Sequence, residues 1–267
     1  MLPRGAMRIL ERLLPGNPQR ESAPKDAIDD EAWERLRGDF PLIATLPDAQ
    51  ALDLRRLSRS FLRRKSIEGA RGVEIDDEIR LIVAAMACLP ALNLGLDVLD
   101  GWRSVIVYPG EFISRGVAVD DAGVESHWEY PCSGESWERG PILLSWEDIM
   151  ASGQLDSGYN VVIHEIAHKL DMRSGDVNGF PLLHPEMDGI SWYRDFSVAF
   201  EDFTARIDAG RKTSIDPYAA ESPDEFFAVV SEYFFEAPAI LKGCYPEVHD
   251  QLMAYYRQDP LSRISLQ

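Results

Sequence analysis

The residues from Asn160 to Asp171, NVVIHEIAHKLD, constrain this chain more than any other stretch, because two histidines and a glutamate stand there in the HExxH arrangement. On a helix His164 and His168 lie one turn apart on one face, so both imidazoles can reach a single metal ion, with Glu165 beside them at the rim. On the opposite face Ile163, Ile166, Ala167 and Leu170 keep the i, i+3, i+4, i+7 spacing of a buried stripe. The pattern predicts a helix anchored by its back and offering metal ligands from its front. The simpler alternative is a surface helix whose two histidines coincide by chance, and a third ligand is what separates the two.

Composition bounds the rest. With 267 residues, 45% of them apolar, and six tryptophans, the chain is globular and long enough to bury a core. A formal net charge of −18 argues against a direct nucleic-acid binder, which needs a basic face, and leaves room for cationic peptides or a basic protein partner. Cys88, Cys132 and Cys244 are widely spaced and odd in number, with no CxxC pair, so neither a disulfide framework nor a thiolate zinc site is indicated. A reducing compartment fits, and the chain reads as cytoplasmic. The stretch Met7 to Leu14 is too short and too interrupted by Arg8, Glu11 and Arg12 for a secretory apolar segment. The apolar run Leu81 to Leu96, broken by Pro90 and Asn93, falls short of the roughly 20 residues that span a bilayer, so it is a buried helix or helix pair and no transmembrane segment is expected.

Residues 1–30 read as a flexible leader, ending in the turn-rich PGNPQRESAPKD, and residues 31–267 as one domain. From Asp30 to Lys65 the periodicity is helical, and the basic cluster Arg55, Arg56, Arg59, Arg63, Arg64 and Lys65 reads as a solvated face. Strands are expected at Ser104–Tyr108 and Ile142–Trp146, the second preceded by the turn SGESWERGP. The fold class is α+β, a mostly helical single domain with a small central sheet around a zincin-like metal helix. A strand beside that helix would let an extended peptide pair as an added strand.

A catalytic zinc site needs three protein ligands and an open position for water. The longer motif HExxHxxGxxH is excluded, since Asp171 and Ser174 occupy its last two positions. His127, His184 and His249 have no metal-type partner at helical spacing. The remaining candidates are Asp176, in the turn after the motif helix, and Glu225, in SPDEFFAVVSEYFFEAP. Ser222 and Glu225 also satisfy the S-x-x-E capping box, in which the glutamate only reaches back to backbone. Against that stand Phe226, Phe227, Val229, Val230, Phe234 and Phe235, which make this helix a buried one, and Glu232, two turns on, which shares its face. Carboxylates on a greasy face need a partner. Asp171 shares the metal face and is either an imidazole-orienting group or a helix-end residue before Gly175. Tyr218, after Pro217, reads on its own as a core aromatic.

Taken together, the blocks NVVIHEIAHKLD, SGESW, DPYAAESPDEFFAVVSEYFF and YYRQDPL resemble the Mlc titration factor A family of zinc peptidases, similar in its metal site to the catalytic domain of anthrax lethal factor. The resemblance runs from about Phe40 to Leu261. It implies a metallopeptidase of the gluzincin type that hydrolyses a peptide or protein substrate. One Zn2+ would be held by His164, His168 and Glu225, with Glu165 as general base and Tyr218 as the transition-state tyrosine. Members of that family have been linked to binding a transcriptional repressor of sugar uptake genes. A binding protein that sequesters such a repressor, its zinc mainly structural, is therefore the competing expectation. A structural site usually closes its fourth position with a protein ligand, and only three good candidates are present, which favours the enzyme.

Overall fold

Short polar side chains start several helices by accepting the amide hydrogens that a first turn leaves free. The computed structural model describes residues 28–119, 125–137 and 140–264, so the expected leader lies outside the described residues up to residue 27. Asp29 accepts from the Ala32 amide at 2.6 Å and opens α1 (Asp30–Asp39), followed by α2 (Pro41–Ala44) and α3 (Asp48–Arg64). After β1 (Ser66–Gly69), Asp76 accepts from the Ile79 amide at 2.9 Å and opens α4 (Asp77–Cys88). The apolar run beyond Leu81 is thus one buried helix that ends at Cys88, with a short 3-10 turn at Leu96–Leu99.

The strands follow as β2 (Ser104–Tyr108), β3 (Phe112–Val119), β4 (Glu125–Cys132), β5 (Gly134–Ser136) and β6 (Ile142–Ser145). One mixed sheet has the order β1-β2-β6-β5, its first three strands parallel and β5 antiparallel on the outside; β3 and β4 form a separate antiparallel ribbon. The helical remainder comprises α5 (Trp146–Ala151), α6 (Val161–Asp171), α7 (Gly189–Asp208), α8 (Pro223–Glu236), α9 (Pro238–Cys244), α10 (Pro246–Tyr256) and α11 (Pro260–Ile264). The architecture is α+β, one mostly helical domain with a small sheet.

Three expectations need correction. The second strand stops at Ser145, whose hydroxyl accepts from the Asp148 amide at 3.3 Å and makes Trp146 the first residue of α5. The stretch SGESWERGP is not only a turn, since it contains β5, and β5 is what lies outermost against α6. Lys65 is not solvated: its ammonium lies 3.8 Å from the Trp102 ring centre and donates to the Leu99 and Trp102 carbonyls at 2.5 Å. Burial lowers its pKa to about 8.

The core centres on α6 and α8, which pack against each other. The backs of Ile163, Ile166, Ala167 and Leu170 are sealed, and Phe226, Phe227, Phe234 and Phe235 of α8 are fully buried. Truncating one such phenylalanine to alanine costs about 3–5 kcal/mol, so packing strongly favours a single register of the two helices. No helix among the described residues is long and apolar enough to cross a membrane.

Candidate metal centre

Both helices are pinned where they meet. Asn160 Oδ1 accepts from the Ile163 amide at 3.0 Å and caps α6, while the Asn160 backbone amide donates to Glu232 Oε2 at 2.5 Å. One turn further along α8, Glu236 Oε1 accepts from the Asn160 side-chain amide at 2.7 Å and from the Gly153 amide at 2.6 Å, and Oε2 accepts from Ser157. Two glutamates of one helix therefore clamp the cap of the other. Glu236 had a sequence signal, since it stands four residues after Glu232 and so shares the helix face of Glu225 and Glu232.

Ser222 accepts from the Glu225 amide at 3.4 Å, the forward half of a capping box, but the Glu225 carboxylate turns to the histidines. Its Oε2 lies 3.0 Å from His164 Nε2 and 3.4 Å from His168 Nε2, and the two nitrogens are 3.1 Å apart. A tetrahedral ion bonded at 2.0–2.1 Å requires ligand atoms about 3.3 Å from one another, so this triangle has the size of one face of such a site. Glu225 Oε2 is buried and takes no hydrogen bond, which leaves it directed at the same point as the two nitrogens. His164 Nδ1 lies 2.8 Å from Glu232 Oε1; with its proton there, Nε2 keeps a free lone pair for a metal.

Asp176 is exposed and lies outside this group. Asp171 Oδ2 accepts from the amides of Asn178 at 2.9 Å and Gly179 at 2.7 Å, so it holds the loop leaving α6. His184 bonds the Tyr255 carbonyl at 2.8 Å, and His249 is buried against Phe234. The side chain of His127 lies outside the described residues.

Glu165 is 3% exposed and its Oε2 has no hydrogen-bond partner. Burial raises its pKa against the pull of His164 and His168. Gly134 of β5 faces it so closely that a Cβ there would stand 2.3 Å from Glu165 Oε1, and Ser136 donates to the Glu165 carbonyl at 3.1 Å. Tyr218 is 44% exposed, on the 3-10 turn Pro217–Ala220, with its ring centre 6.1 Å from that of His164. It is no core aromatic. Burial of its hydroxyl and the Glu225 carboxylate push its pKa up.

The field at the triangle favours positive charge. Burial opposes protonation of His164, yet Glu225 and Glu232 outweigh it and hold its pKa well above the ordinary imidazole value. Burial likewise opposes ionisation of Glu225, and His164 and His168 overcome it and keep the carboxyl well below its usual range. A metal cation answers the same field as the proton does.

Two imidazoles from α6 and a carboxylate from α8, packed against it, with a second carboxylate beside them whose Oε2 is unpartnered, define a metallopeptidase-like site on an α+β domain. The family model described as glucose-regulated metallo-peptidase M90 matches residues 17–257. Curated relatives named Mlc titration factor A are 42% identical over 88% of this chain and 88% of theirs in Cronobacter sakazakii. In Salmonella arizonae the figures are 40%, 84% and 90%, and in Escherichia coli 37%, 92% and 91%. The chain belongs to the glucose-regulated metallo-peptidase M90 family.

Proposed function

We propose that this chain is a zinc-dependent peptidase of the cytoplasm, with His164, His168 and Glu225 as metal ligands, Glu165 as general base and Tyr218 as donor to the developing oxyanion. The observation that carries the reading is the triangle of ligand atoms at 3.0–3.4 Å, beside a buried carboxylate that forms no part of it. The donor set selects zinc over calcium or magnesium, which take oxygen ligands. When bound, zinc supplies Lewis acidity to water and to the scissile carbonyl.

The chain's own residues do the rest. The unpartnered Oε2 of Glu165 takes the proton of the attacking water and delivers it to the leaving amine. The phenol of Tyr218 donates to the oxyanion as it forms on the carbonyl carbon. The outer strand β5 offers its edge to an extended peptide across Glu165. The domain begins before residue 31, since Ile28 is buried in the core and Asp29 caps α1.

Metal analysis of the purified protein, coupled to a peptide-hydrolysis screen with and without chelator, tests the reading. Zinc near one per chain and chelator-sensitive cleavage are expected; a metal-free protein that cleaves peptides equally well would sink it. The relatives' printed name favours a second reading, in which the chain captures a transcriptional repressor without cutting it. That reading gains if no peptide is cleaved while the repressor binds parent and Glu165→Gln variant alike.

A further inference from the structure

Glu165 and Lys169 stand four residues apart on α6 and so share one helix face. The strand β5 lies along that face. Gly134 covers the Glu165 carboxylate and Ser136 donates to the Glu165 carbonyl at 3.1 Å, so both are turned toward the helix, the two-residue repeat of a strand. One turn further along α6, the Lys169 ammonium donates to the carbonyl of Trp137 and, at 3.2 Å, to that of Gly140. The same Trp137 carbonyl accepts from the Gly140 amide at 3.1 Å, and the Trp137 amide donates to the Pro141 carbonyl at 3.3 Å. Lys169 therefore holds the link by which β5 turns into β6. Gly140 packs so tightly there that a Cβ would stand 2.8 Å from that of Trp137.

Lysine side chains ordinarily keep their charge in water. Lys169 is only 3% exposed, and its ammonium lies 5.6 Å from the centre of the Trp102 ring. A buried ammonium is tolerated only where acceptors meet it. Here backbone oxygens of the link are acceptors, so the charge favours one placement of that link against α6. The strand needs such a tie, because β5 has three residues and is the last strand of its sheet, with β6 on one side. So short a ladder does little to fix its own position.

We propose that Lys169 is a positioning residue, which fastens the link after β5 to the helix carrying His164, Glu165 and His168 and so sets the outer edge of β5 for pairing with an extended peptide. The inference rests on the peptidase reading above and adds a substrate class: oligopeptides long enough to pair with β5, in preference to short ones. Lys169 acts through backbone carbonyls and takes no part in metal binding or proton transfer.

The test uses the zinc-loaded protein and its Lys169→Met and Lys169→Arg variants. Methionine keeps most of the stem and loses every donor, whereas arginine keeps donors for both carbonyls. Lys169→Gln, whose shorter amide does not reach both, carries the test should Lys169→Met not fold. Two substrates are compared: the octapeptide that the parent cleaves fastest in a randomised library, and the blocked tripeptide cut from its centre. Lys169→Met should keep its zinc and raise KM for the octapeptide by about 10-fold, with kcat within about 3-fold of the parent. Its kcat/KM for the tripeptide should stay within about 2-fold, and Lys169→Arg should return the octapeptide KM to within about 3-fold of the parent. Equal losses on the two substrates, or loss of zinc, would make Lys169 a general structural residue and overturn the inference. A second arm needs no turnover: amide hydrogen exchange over Gly134–Trp137 should quicken by about 10-fold or more in Lys169→Met and not in Lys169→Arg. If nothing is cleaved yet exchange follows that pattern, the placement of β5 by Lys169 stands and the peptidase reading falls. Equal exchange in all three proteins overturns the inference whatever the kinetics.

Discussion

At Gly134 a missing side chain keeps Glu165 uncommitted. Any Cβ there would collide with the carboxylate, whose Oε2 is buried without a partner and whose pKa is raised by burial, a state that suits a general base. Glu165→Gln is nearly isosteric and leaves all three ligand atoms in place, so zinc content and thermal stability should stay close to the parent while peptide hydrolysis falls by about 2–4 orders of magnitude. Zinc loss in that variant would give Glu165 a structural part instead. The Tyr218 hydroxyl should matter only once the carbonyl becomes an oxyanion, so Tyr218→Phe should lower kcat by about 1–3 decades with KM nearly unchanged. Steady-state kinetics decide it, and an unaltered kcat would remove the tyrosine from the reaction.

Between elements, α6 and α8 have to meet in one register for Glu225 to face His164 and His168. Glu225→Ala should release most of the zinc, whereas Asp176→Ala, an exposed change outside the triangle, should retain it. Metal stoichiometry after dialysis gives the answer, and the reverse result would move the third ligand. Much of this geometry was legible in sequence. The 3.6-residue repeat aligned His164 with His168 and Glu225 with Glu232, and the phenylalanines between the glutamates announced a buried helix. What stayed hidden were contacts with no local signature. A three-residue strand such as β5 is too short to show alternation, so the approach of Gly134 to Glu165 could not be read. Lys65 closes a basic run that looks solvated, and only the distant Trp102 ring shows why it is buried. Asp171 shares the metal face, yet the loop amides it accepts are set by a turn whose path periodicity does not encode.

For the whole molecule, Glu236 ties α8 to the stretch from Gly153 to Asn160, 76 to 83 residues earlier in the chain. It takes the amide of Gly153, the hydroxyl of Ser157 and the side-chain amide of Asn160, and through Asn160 it orients the cap of α6. Burial raises its pKa to about 7, although those three donors pull the other way. The folded state thus holds this proton more tightly than the unfolded chain, whose glutamate titrates near 4.5. Stability from this group is fully present below that unfolded value and is lost as pH rises toward 7, because there the native state binds the extra proton. From pH 5.5 to pH 8 the loss should approach about 2 kcal/mol, one unit being worth about 1.4 kcal/mol. Urea unfolding of parent and Glu236→Gln, both with chelator so that metal binding does not enter, isolates the effect, since other titrating groups are common to the two proteins. The glutamine keeps an acceptor for Asn160 and carries no titrating proton, so its stability should fall less than the parent's over that interval. Parallel pH dependences in the two proteins would show that Glu236 stays ionised in the fold, held by its three donors against the cost of burial.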